Sequence, residues 1–370
     1  MTGTTVPERE DLRRSVRDLL DRFGDDVARQ DAIGSESGHS TRLWSALAEV
    51  GALSLTVPEA AGGAGYGAVE QRVVLEELGR TLAPTPFLGT VVQAATALVA
   101  SGDPAAHPHL ERIASGATLA ALAVTEGDGR WRTAHFSTRA ELDGGTWRLT
   151  GAKDLVVDGA VADLLVVAAA TESGPSLFLV TSSEAVERKE LRTLDLTRRI
   201  ASVAFDGTPA ELLGSPGDAP AVLDRVLDAT MVALAAEQVG AARACLDASV
   251  AYAKDRVQFG RQIGSFQAVK HRCADMFAKV QLASAAAQEA AHSADREPDR
   301  APADVAAAVA HSVCSEAAMF TATENIHVHG GIGFTWEHPA HLYFRRAKSS
   351  QMLLGGPAAN AERLLARLGV

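Results

Sequence analysis

The sequence predicts a mainly α-helical chain with a β middle domain, and three observations point there. Apolar residues recur at helical spacing up to residue 117 and again after residue 218, while between them short apolar runs alternate with turn residues. The composition is 47% hydrophobic but only 5% aromatic, so small aliphatic side chains that suit close helix packing carry the core. At 370 residues the chain exceeds one hydrophobic core. It reads as an N-terminal all-helical domain (1–117), a β-barrel domain (118–217) and a C-terminal four-helix bundle (218–370).

In the first unit, Leu12, Val16, Leu19, Leu20 and Phe23 line one face of a helix over 7–30, and Leu43 and Leu47 one face of another over 41–51, with the Gly/Ser-rich 34–38 between them. A glycine-rich connector, 58–67, precedes a third helix over 68–81. Pro84 and Pro86 break the chain before a fourth, 89–101, and a short helix follows around 109–115. Strands are expected at 119–124, 147–150, 164–168, 177–180 and 201–205, with Asp143-Gly-Gly145 a hairpin turn. After Gly217, three long helices (219–256, 265–296, 302–328) and a shorter one (357–367) supply the bundle. Asp299 to Asp304, with Pro298 and Pro302, reads as a solvated turn between two of them.

Acidic residues outnumber basic ones, 46 to 35, for a net charge of −11. No dense Lys/Arg field exists to meet a phosphate backbone, so nucleic acid is excluded as a partner. Cys245, Cys273 and Cys314 include no C-x-x-C pair and sit in Ala-rich helical contexts, which suits free thiols in a reducing cytoplasm. Residues 1–26 are charged throughout, unlike a signal peptide, and no uninterrupted apolar run reaches the roughly 18 residues that would span a bilayer. His327-Val-His329 lacks a third ligand nearby, so no metal is expected.

Four stretches carry chemistry. They are Val57-Pro-Glu-Ala-Ala-Gly-Gly-Ala-Gly65 with Glu76-Glu-Leu-Gly79; Thr125-Glu126 at the end of a strand; Tyr252-Ala-Lys-Asp-Arg256 running into Arg256-Val-Gln-Phe-Gly-Arg-Gln-Ile-Gly-Ser-Phe-Gln267; and His327-Val-His-Gly-Gly-Ile-Gly-Phe334 with Tyr343-Phe-Arg-Arg-Ala-Lys348. Their order resembles the acyl-CoA dehydrogenase family over nearly the whole length. The resemblance implies FAD as cofactor and α,β-dehydrogenation of an acyl-CoA or acyl-carrier thioester, with electrons leaving to an electron-transfer flavoprotein or similar acceptor. It also implies assembly as a homo-oligomer or as a heterotetramer with a homologous subunit. By the same match Arg256 binds the FAD pyrophosphate of a neighbouring subunit, and Phe259 and Gln267 line that cofactor. Gly330 and Gly331 admit its adenosine half, His327 stands where the family usually has glutamine, and Thr125 belongs to the flavin loop. A guanidinium's planar fork suits a dianionic pyrophosphate. Read alone, Arg256 is equally a helix C-cap and Gly330-Gly331 a turn.

The family reaction needs a carboxylate base, a flavin to take the β hydride, and hydrogen bonds on the thioester carbonyl. At the family's commonest base position this chain has Leu354, and at its second position Thr230. Glu237 remains as the catalytic candidate, two turns beyond Thr230 among Ala233, Leu234, Gly240 and Ala241, where desolvation would raise its pKa. The alternative is a glutamate paired inside the bundle, to Arg243 or a subunit partner. The β domain also departs from the family: Arg130-Trp131 replaces the Gly-Ser step of the "TE-P-x-x-GSD" loop, and Leu155 and Val157 replace the aromatic and hydroxyl that hold the flavin. Three readings stand: a dehydrogenase using Glu237, an auxiliary subunit completing a homologous partner's FAD site, or a flavin-independent thioester-binding scaffold.

Overall fold

The computed structural model describes residues 4–181, 185–296 and 301–370. Helix α1 (Val6–Phe23) starts where the Glu8 carboxylate accepts from the Thr5 backbone N–H at 2.6 Å. The single helix expected over 7–30 is in fact two. Gly24 ends α1, and Asp25 caps α2 (Asp26–Gly34) by accepting from the Ala28 N–H at 2.8 Å, so a stop and a start signal meet inside one apolar stripe. Then come α3 (Thr41–Glu49), α4 (Ala68–Thr81), a wide helical turn leading into α5 (Ala95–Ala100), and α6 (His107–Ala114).

Seven strands follow: β1 (Ala120–Ala123), β2 (Arg139–Asp143), β3 (Thr146–Val157), β4 (Leu164–Thr171), β5 (Gly174–Thr181), β6 (Val186–Glu190) and β7 (Ile200–Leu213). They form one sheet in the order β1-β4-β2-β3-β7-β5, with β6 added on β7 and β5 also paired to β4, which closes the sheet on itself. Asp143 pairs with Thr146 around Gly144 and Gly145, at φ of 57° and 89°. Two consecutive positive φ angles make the tight turn whose twist matches the strands, and glycine adopts them without a Cβ penalty. Strands β2 and β6 are unexpected: Arg-Ala-Glu-Leu-Asp and Val-Glu-Arg-Lys-Glu are charged and mostly exposed, so no apolar alternation marks them.

The remainder is helical: α7 (Ala219–Asp255), a two-residue hairpin of β8 (Val257–Gln258) and β9 (Arg261–Gln262), α8 (Gln267–Arg296), α9 (Ala301–His329), α10 (Ala340–Met352) and α11 (Gly356–Leu368). The turn expected at 299–304 lies outside the described residues up to 300, and Asp304 already belongs to α9. The stretch from Asp304 to Phe334 is long and apolar enough to cross a membrane by length and composition. More than half of its most apolar window is nonetheless buried inside the fold, because α9 is the bundle's core helix. Cys245, Cys273 and Cys314 are free, the first and last buried.

Helix α4 crosses α7 at backbone contact. A Cβ on Gly79 would stand 2.0 Å from the Glu237 carbonyl oxygen, and one on Gly240 would stand 1.9 Å from that of Glu76. Neither backbone has a flexible end to yield, so the glycine of Glu76-Glu-Leu-Gly79 is a packing requirement that also fixes the height of Glu237. Gly240→Ala is expected to force the helices apart at a cost of about 1–3 kcal/mol, toward the upper end because backbone meets backbone. An unchanged denaturant midpoint would refute this contact.

Candidate functional site

One end of the bundle gathers most of the residues singled out from the sequence. Arg256 terminates α7 through its N–H to the Tyr252 carbonyl at 2.9 Å, while its exposed guanidinium has no partner among the described residues. Phe259 sits in the β8–β9 turn at φ 53°, and its ring is 92% exposed, meeting only the edge of Phe266 at 6.1 Å. An aromatic held in the left-handed region with its face in water gains nothing from its own chain. Gln267 opens α8, exposed, within 3.3 Å of His271. His327 is exposed and lies 3.3 Å from both Arg272 and Glu324, which ties α9 to α8. The Tyr252 and His329 rings, 4.4 Å apart, tie α9 to α7. A Cβ on Gly330 or Gly331 would meet nothing within 4 Å, so open space lies over both. Val257, Ile332, Phe334 and Trp336 extend this exposed apolar surface. Thr125 is elsewhere, buried in the β unit with its hydroxyl donating to the Asp154 carbonyl.

Glu237 faces inward and is 6% exposed. Arg198 Nη2 donates to both of its oxygens, at 2.8 and 2.7 Å, and Arg346 Nη1 donates to Oε1 at 2.8 Å. Arg346 also reaches the Thr197 carbonyl at 2.8 Å and Asp195 Oδ2 at 2.8 Å, and Arg198 donates to Ser350 Oγ at 3.0 Å. The upward pKa shift expected from burial is overturned. Burial does push that way, but the two guanidiniums outweigh it and hold the carboxyl down to about 2. Arg243, the partner considered from sequence, is exposed, because six residues along a helix turn the chain by about 240°. Thr230 and Leu354, where the sequence comparison places a base, are both buried, and the Thr230 hydroxyl is spent on the Val226 carbonyl at 2.6 Å.

In the β unit, Trp131 and Leu155 pack half-buried against a core that includes Val157, Ile200, Leu353 and Leu354. Lys153, fully buried, donates to Glu126 at 2.7 Å and to the Val124 carbonyl at 3.2 Å. Glu126 in turn accepts from the backbone N–H groups of Ser137 and Thr138 at 2.7 and 3.0 Å. Burial lowers the Lys153 pKa to about 8 against the pull of Glu126. This pair pins the loop over 126–138 to β3.

Family models describe two parts of the chain, the N-terminal domain of acyl-CoA dehydrogenases over residues 6–117 and the C-terminal domain over 221–368. The chain belongs to the acyl-CoA dehydrogenase family. It is 38% identical to acyl-CoA dehydrogenase IpdE2 of Mycolicibacterium smegmatis over 98% of this chain and 99% of that one. Among solved structures it is similar to the ChsE4-ChsE5 complex from Mycobacterium tuberculosis (31% identity, TM-score 0.88, 100% and 99% of the two chains covered). It is also similar to a variant of the Tcur3481-Tcur3483 steroid ACAD (32%, TM-score 0.88, 98% of each).

FAD fits this chain on one side only. The unpaired Arg256 guanidinium, the open space over Gly330 and Gly331, and the bare Phe259 face suit a pyrophosphate and adenosine held outside the chain. The inward positions do not suit an isoalloxazine, because aliphatic Leu155 and Val157 offer it no hydroxyl donor and the Trp131 side chain fills core space. Sequence reasoning missed Asp158, Asp195, Thr197, Arg198 and Arg346 as a group. The available signs were Asp195-Leu-Thr-Arg198, a tight polar run, and the adjacent Arg345-Arg346 beside Ala347.

Proposed function

We propose that this chain is the non-catalytic subunit of a heteromeric acyl-CoA dehydrogenase and completes the FAD site of a homologous partner. The observation that carries this reading is Glu237: the one carboxylate near the family's base positions is locked between Arg198 and Arg346 with its pKa held near 2, too low for removing an α proton. The outward residues remain uncommitted. FAD held there would supply the acceptor for the β hydride of the thioester. Arg256 neutralises the pyrophosphate, Phe259 and Gln267 cover the cofactor, and Gly330-Gly331 leave room for the adenosine. His327, held by Arg272 and Glu324, stands at the rim of the same surface. Thr125, spent on Asp154, takes no part.

An apolar groove of about 610 Å³ between α7 and α8, lined by Leu246, Val250, Ala274 and Phe277, runs up to Asp255 beside Arg256. A homologous subunit docked there would bring its flavin to Arg256. The likeness to the ChsE4-ChsE5 complex and to a steroid ACAD supports a two-subunit enzyme acting on a bulky acyl-CoA thioester, with an electron-transfer flavoprotein or similar acceptor downstream. We place it in a reducing cytoplasm on the strength of its free cysteines.

The test is to purify the chain alone and together with a homologous partner subunit, and to record flavin absorbance before and after an acyl-CoA thioester. The expected result is a colourless lone chain and a yellow complex that bleaches, with one FAD per pair of subunits. Flavin that bleaches in the lone chain and stops bleaching in Glu237→Gln would instead make Glu237 the base.

A further inference from the structure

A second built cavity lies where the loop after β1 meets α11. It holds about 350 Å³ and is lined by Arg130, Trp131, Arg132, Ala359, Glu362 and Arg363. Three guanidiniums and one carboxylate line it, and Arg367, Asp224 and Asp228 stand near Arg363 behind the wall. The internal charge pairing is weak where it faces the opening: Arg130 stands 3.8 Å from Glu362 with both side chains more than half exposed, and Arg132 is tied to Asp128 at the surface.

Two lining residues, one on each wall, carry a buried donor with no acceptor. They are Trp131 Nε1 on the loop and Arg363 Nη1 on the helix. Native interiors rarely leave such donors unmet, and an indole N–H or a guanidinium can only donate. What completes the cavity is therefore an acceptor, and the three lining guanidiniums against one lining carboxylate favour a negative one. Arg130 and Trp131 are also the residues that replace the Gly-Ser step of the related loops, so the cavity is built from this chain's own departures. We propose that this pocket binds a phosphate group, with Trp131 and Arg363 as inner donors and Arg130 and Arg132 at the rim. The guanidinium fork matches a tetrahedral oxyanion in two directions at once, and the indole fixes its depth.

The ligand is either inorganic phosphate or a phosphate carried by CoA, and one titration separates them. The purified chain, with its partner subunit if the two co-purify, is titrated with inorganic phosphate and with CoA by calorimetry and tryptophan fluorescence. Saturable binding is expected, weakened tenfold or more in Arg363→Gln and several-fold in Trp131→Phe, with the fluorescence change lost in the latter. CoA that displaces phosphate identifies CoA as the source; CoA that leaves it bound identifies the free anion. If Arg363→Gln fails to fold, Trp131→Phe and Arg130→Gln decide. No saturable binding at millimolar phosphate or CoA, or equal binding in wild type and all three variants, would overturn the site and leave a trapped water as the acceptor.

Discussion

Glu237→Gln is expected to destabilise the chain by about 3–5 kcal/mol, since removing one partner of a buried ion pair leaves the opposite charge uncompensated. Here Arg198 loses the carboxylate it hydrogen-bonds and keeps only the more distant pull of Asp195 and Asp158, while Arg346 keeps its contact with Asp195. The same network predicts a pH signature. Glu237 has a folded-state pKa of about 2, below its ordinary 4.5, so its contribution is fully present above about pH 5 and is lost as the pH falls toward 2. In Glu237→Gln the acid limb of the stability curve should flatten over that window. Asp158, which burial pushes up to about 7, titrates with the opposite sign and above it. Its contribution weakens as pH rises between about 4 and 7, so the two groups separate in a stability profile. Denaturant titrations of wild type and variant at about pH 3, 5 and 7 read both effects. A variant as stable as wild type with the same acid limb would mean that the cluster holds no such pair in solution, and Glu237 would again be available as a base.

What can be read in the sequence follows from how far each signal reaches along the chain. The sequence predicts α4 at its observed bounds because a glycine-rich connector ending at Gly67 precedes it and Pro84 and Pro86 follow it. It predicts α7, α8 and α9 within a few residues because long Ala-rich periods need no tertiary help. Helix α10 escapes it, since Arg345, Arg346, Lys348, Ser349, Ser350 and Gln351 hide its apolar face, and its arginine is buried only because a distant carboxylate receives it. The outward half of the candidate site is legible because Arg256, Phe259 and Gln267 lie within twelve consecutive residues. The inward half joins Asp158 on β3's end, Asp195 to Arg198 before β7, Glu237 on α7 and Arg346 on α10. Separations such as the 109 residues between Glu237 and Arg346 leave no local period to read. Composition does register the result: a lone glutamate among alanines on a buried helix face must have a cationic partner somewhere.

Arg256→Ala is expected to strip most of the FAD from the assembled enzyme while leaving the lone chain as stable as before. The guanidinium is exposed and meets no partner among the described residues, so its removal should change folding by no more than about 0.5 kcal/mol. A charge-assisted contact to a phosphate contributes about 1.5–3 kcal/mol, which corresponds to roughly 10–150-fold weaker cofactor binding. Arg256→Lys keeps the charge but loses the planar fork, and should fall between wild type and alanine. The measurement is the flavin-to-protein absorbance ratio of the two-subunit complex after gel filtration, beside the thermal midpoint of each chain alone. If Arg256 serves only to end α7 through its backbone N–H, which alanine keeps, neither the midpoint nor the flavin ratio will move. If it reaches a partner's pyrophosphate, the flavin ratio falls and the midpoint does not move. Because only a shared flavin site moves the flavin ratio, a single variant decides whether the surface at this end of the bundle is a helix terminus or one half of such a site.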